Sequence, residues 1–61
     1  ERMQGYVGRE LVLLDDVVQG LSRVHLDDTV WTVRSQMPLT AGSRVKVVGT
    51  DSHILLVDPL P

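Results

Sequence analysis

No uninterrupted apolar run in this chain exceeds four residues, and the two that reach four are each closed by Asp. Short apolar runs bounded by turn residues read as strands rather than helices, which would want about ten residues or more. Arg9-Glu10-Leu11-Val12-Leu13-Leu14, closed by Asp15-Asp16, reads as the first strand. Val17-Val18-Gln19-Gly20 connects it to Leu21–Leu26, where Val24 and Leu26 share one face and Arg23 and His25 take the solvent face. Asp27-Asp28 stands between two strand-like runs as a tight hairpin turn. Thr29–Arg34 follows, rich in β-branched and aromatic residues, with Trp31 and Val33 expected inward. Ser35–Gly42 is the longest loop, interrupted by Pro38 and with room for one helical turn. Ser43–Val48 alternates cleanly, placing Val45 and Val47 inside and Arg44 and Lys46 outside. Gly49–Ser52 is expected as a loop, and His53–Val57 as the fifth strand, ended by Asp58-Pro59.

Five strands in a meander-like order, with one longer excursion between the third and fourth, imply an all-β domain. The expected form is a small five-stranded β-barrel of the OB type, with an SH3-like barrel as its main rival. At 61 residues the chain holds one domain, and one this small buries only about 60% of the surface its unfolded chain exposes. It has no cysteine for a disulfide or a thiolate metal site. Apolar residues make up 43% of the chain but aromatics only 3%, so the core must be Val and Leu with Trp31 as its one large ring. Residues 1–7 read as a linker or lead-in and residues 8–60 as the barrel. The start at Glu1 without Met suggests a fragment of something longer.

The search for chemistry returns no catalytic, cofactor-binding or metal site. Ser22, Ser35, Ser43 and Ser52 lie in no Gly-x-Ser-x-Gly turn, and His25 and His53 have no fixed carboxylate partner in view. Asp15-Asp16 and Asp27-Asp28 lack the alternate spacing around Gly of a calcium loop and read as turn residues. The glycines are too dispersed for a phosphate cradle. Arg2, Arg9, Arg23, Arg34, Arg44 and Lys46 are scattered through a chain of net charge −2, so no nucleic-acid partner is expected. Single-stranded nucleic-acid binding stays as the alternative only because OB barrels commonly do it.

The order of pieces carries a family likeness. Gly8-Arg9-Glu10-Leu11-Val12, Gly20 before a strand, Asp27-Asp28-Thr29-Val30-Trp31-Thr32-Val33, the run Leu39–Gly49 and the close Leu55-Leu56-Val57-Asp58-Pro59-Leu60 together resemble the C-terminal soluble domain of NfeD-like proteins. The resemblance implies an OB-like barrel that follows membrane-spanning segments absent from this chain. It also implies a non-catalytic interaction domain on the cytoplasmic side of a bacterial inner membrane, acting with a stomatin-like (SPFH-family) partner in membrane organisation. Some longer relatives of that family add an N-terminal ClpP-class serine protease domain, and nothing in this chain matches it. The exposed-looking apolar residues of the two connecting segments, Val17, Val18, Met37 and Leu39, are the candidate partner contacts.

Overall fold

All five expected strands are present in the computed structural model, which describes residues 5–61: β1 (Glu10–Val12), β2 (Leu21–Leu26), β3 (Thr29–Ser35), β4 (Arg44–Asp51) and β5 (Ile54–Pro59). Their order in the sheet is β1-β4-β5-β3-β2. Three pairings are antiparallel: β1 with β4 (Leu11 opposite Val45), β4 with β5 (Val47 opposite Val57) and β2 with β3 (Val24 opposite Trp31). The fourth, β3 with β5, is parallel, with Val33 opposite Leu55. The ends of the sheet then meet through a Leu13–Val24 bridge and the Leu14 N–H donated to the Arg23 carbonyl at 2.8 Å. The result is a curled, partly open Greek-key barrel of the OB type. It is not a meander, because β5 crosses to lie beside β3.

The inward face follows from two-residue alternation. Ser22, Val24 and Leu26 of β2, Val33 and Ser35 of β3, Val45 and Val47 of β4, and Leu55 and Val57 of β5 are buried, joined by Leu11 and Leu13. The fully enclosed apolar core is therefore entirely Val and Leu. Each such side chain contributes about 1.5–3 kcal/mol by leaving water. Trp31 lies on this face but is only half-buried, packed on the core with its ring 5.4 Å from that of Tyr6 in an edge-on arrangement at 72°. The expected lead-in over residues 1–7 lies partly outside the described residues. Its described part forms a single 3-10 turn at Gly5-Tyr6, after which the Gly8 N–H is donated to the Val47 carbonyl at 2.7 Å.

Several boundaries differ from the expected ones; β3 extends to Ser35, and β5 begins at Ile54 and runs through Asp58-Pro59, which pair with Lys46 and Val45 instead of ending the strand. The first strand is shorter, because at Leu13 the chain turns from β4 toward β2: the Leu13 N–H still reaches the Ser43 carbonyl, and its neighbour Leu14 already bonds Arg23. Gly49, Thr50 and Asp51 belong to β4 rather than to a loop, since a bulge between Val47 and Gly49 lets the strand continue, and the turn falls at Ser52-His53 with Ser52 at φ 60°. The long loop after β3 has no helical turn; the Ser35 hydroxyl bonds both the N–H and the carbonyl of Met37 instead.

The segment Val18-Gln19-Gly20-Leu21 is a two-residue hairpin in which Val18 and Leu21 exchange backbone bonds of 2.9 and 3.0 Å, with φ 54° at Gln19 and 81° at Gly20. Positive φ at both central positions is the type I′ requirement, which favours Asn-Gly. Gln19→Asn should accordingly stabilise the domain by about 0.3–1 kcal/mol. A raised urea midpoint at unchanged slope is the expected reading; an unmoved or lowered midpoint contradicts it.

Candidate functional site

The Val17–Leu21 turn sorts its own apolar residues into inner and outer sets. Val17 packs on the core and donates its N–H to the Leu39 carbonyl at 2.8 Å, and Leu39 packs on the core as well. Val18, next in sequence, points away and is 66% exposed. Met37, held out by the Ser35 bonds, is 49% exposed. Of the four candidate contacts, then, two anchor the connecting segments and two face solvent.

Two grooves flank this turn. The larger, about 450 Å3, has a floor of Val18, Leu21 and Thr32, with Asp15, Asp16 and Arg23 among its polar walls. The smaller, about 200 Å3, runs between Val17, Gln19 and Gly20 on one side and Ser35–Pro38 on the other. Leu21 is the member that strand reading passed over. Its signal was available: alternation with Val24 and Leu26 inward puts Leu21 outward beside Arg23, an apolar residue on a polar face.

The polar wall is ordered by short-range bonds. Arg23 Nε donates to Asp15 Oδ2 at 2.6 Å and Nη2 to Oδ1 at 3.4 Å. These donated bonds hold the Asp15 carboxyl below the usual carboxylate range and push Arg23 up. Both groups are about half exposed, so the pair orients the wall more than it stabilises the fold. Buried Ser22 donates its hydroxyl to the Asp15 carbonyl at 2.8 Å, fixing the backbone from which that carboxylate projects. Asp16 Oδ1 accepts the Ala41 N–H at 2.8 Å. The two acidic residues read as turn formers thus have separate tasks.

The remaining candidates are dispersed. His25 and His53 are exposed, and the hydroxyls of Ser22 and Ser35 bond backbone carbonyls. Among the described residues there is no cluster of three or more His, Cys, Asp or Glu arranged to hold a metal ion. Each described arginine lies beside a carboxylate: Arg9 with Asp27 at 3.9 Å, Arg23 with Asp15, Arg34 with Asp51 at 2.9 Å and Arg44 with Glu10 at 3.4 Å. Ion pairing of these four arginines lessens the positive charge they offer to a phosphate backbone, which the nucleic-acid alternative needs.

Residues 3–59 match the family model of the NfeD-like C-terminal, partner-binding domain. The chain belongs to that family. Its role is accordingly one of partner interaction. The NfeD-like fold is also seen in the C-terminal domain of stomatin operon partner protein 1510-C from Pyrococcus horikoshii, with a TM-score of 0.81 and 18% identity over 95% of this chain and 92% of that one. A second similar structure is the soluble domain of a membrane protein implicated in regulation of membrane protease activity from Corynebacterium glutamicum, with a TM-score of 0.75 and 28% identity over 88% and 90% of the two chains. No curated protein matches the sequence. Among the described residues no helix is long and apolar enough to cross a membrane.

Proposed function

We propose that this NfeD-like domain docks a stomatin-family (SPFH) protein through the apolar surface around the Val17–Leu21 turn, as the non-catalytic, cytoplasmic-side module of a membrane-anchored protein. The observation that carries the reading is the exposure of Val18 on its turn and of Met37 in the adjoining β3–β4 loop, while Val17 and Leu39 of the same two segments pack on the core. A surface so anchored presents apolar area without having to order it on binding, which lowers the entropic cost of association. The family description as a partner-binding domain supports an interaction role. The choice of partner and of membrane setting draws on the names of the Pyrococcus and Corynebacterium proteins.

Co-purification tests it, using a full-length protein that carries this domain and its stomatin-family neighbour. Val18→Asp and Met37→Asp, which place a charge in an apolar contact, should each reduce recovery of the partner by about tenfold. Val30→Asp, an equally polar change at another exposed valine, should leave recovery as it was. Full recovery with both Val18→Asp and Met37→Asp overturns the proposed surface.

A further inference from the structure

The larger groove also specifies what it accepts. Its walls carry two carboxylates against one guanidinium. Asp15 and Arg23 satisfy each other through bonds of 2.6 and 3.4 Å, so their charges cancel locally. Asp16 is different. Its only hydrogen bond is the one from the Ala41 N–H to Oδ1, which fixes the carboxylate in place and leaves it without a cationic partner among the described residues. An apolar floor beside one fixed, uncompensated negative charge complements an aliphatic side chain next to a cation.

From this we infer that the groove of Val18, Leu21 and Thr32 binds a short basic–apolar segment of a protein partner, an aliphatic side chain lying on Val18 and Leu21 and a lysine or arginine meeting Asp16. The inference rests on the docking reading above and names the chemistry of the occupant. A second copy of this chain fits poorly: each copy carries net charge −2, and a two-fold contact through this groove would bring two Asp16 carboxylates toward each other. An acidic segment would meet the same repulsion.

The test is a titration of the isotope-labelled 61-residue chain with short blocked peptides, followed by backbone amide shifts. A peptide alternating Leu and Lys should move Val18, Leu21, Arg23 and Thr32. Counterparts alternating Leu with Glu, or Ser with Lys, should bind at least about fivefold more weakly, because each lacks one half of the complement. Asp16→Asn keeps the acceptor for Ala41 and removes only the charge, and should weaken the Leu–Lys peptide by about two- to fivefold. Asp28→Asn makes the same change in net charge on the β2–β3 turn and should have no effect.

Equal binding of the Leu–Glu peptide, equal weakening by Asp28→Asn, or shifts centred away from the groove would each overturn the inference. These failures are separable from failure of the docking surface itself. If they occur while Val18→Asp and Met37→Asp still reduce partner recovery about tenfold, the surface stands and the occupant is wrong; if both leave recovery full, the docking reading falls with it.

Discussion

Replacing Leu55 by alanine is expected to remove most of the stability of this domain. Leu55 is fully buried on β5, opposite Val33 in the parallel pair and Thr50 in the antiparallel one, so its side chain is enclosed by strands on both sides. Truncating such a leucine costs about 2–5 kcal/mol, through lost burial and the cavity that close packing leaves behind. At roughly 0.05–0.15 kcal/mol per residue the whole 61-residue fold is worth about 3–9 kcal/mol. Leu55→Ala should lower the melting temperature by at least about 10 °C, and at the upper end of the cost it leaves the chain unfolded at room temperature. Circular dichroism melts decide it, with Val48→Ala as the exposed control expected within about 0.5 kcal/mol of the parent. A Leu55→Ala melt within a few degrees of the parent would mean that the barrel repacks around the loss.

The second large effect is at Trp31, where two contributions oppose each other. The ring covers part of the core and meets Tyr6 at 5.4 Å, an aromatic contact worth about 0.5–1.5 kcal/mol beyond its area. The indole Nε1, however, is buried with no hydrogen-bond partner among the described residues, a cost of about 1–3 kcal/mol. Trp31→Ala discards the ring and should destabilise by about 2–3 kcal/mol, less than for a wholly enclosed tryptophan because this one is half-buried. Trp31→Phe keeps an aromatic ring on the core and removes the unpaired donor, so it should fall within about 1 kcal/mol of the parent. Urea titrations of the two variants separate the contributions. Equal losses for Phe and Ala would overturn this division of the two contributions.

The readable part of this fold was the part governed by nearest neighbours along the chain. Alternation in Leu21–Leu26 and Arg44–Val47 assigned inside and outside correctly, and Asp27-Asp28 marked its hairpin, where Asp27 sits at φ 55°. What alternation does not encode is which strand lies beside which. The parallel placement of β5 against β3 depends on contacts between residues as far apart as Val33 and Leu55. Nor does local composition reveal a bulge: Gly49 and Asp51 look like turn residues, yet β4 runs through them because the extra residue is absorbed between Val47 and Gly49.

The proposed docking surface was half legible for the same reason. Val17, Val18, Met37 and Leu39 stood out as apolar residues in connecting segments. Separating the two that face the core from the two that face solvent required knowing that the Val17–Leu39 bond brings the two segments together. The charge pattern was less legible still. Asp15 and Asp16 are adjacent and chemically identical in sequence, and only their partners, Arg23 for one and the Ala41 amide for the other, make one neutralised and the other available.

The route by which the ring closes has a kinetic meaning. The β2–β3 hairpin joins near neighbours across a two-residue turn, whereas β1 finds β4 only by pairing Leu11 with Val45. Chain-closure entropy makes such a distant pairing slow to form, so β1 is the natural last strand to dock and the first to detach. A pull transmitted through the residues that precede β1 would peel that three-residue strand from β4, starting at the bonds of Gly8 and Arg9 to Val47, while the β4–β5–β3–β2 sheet still held together.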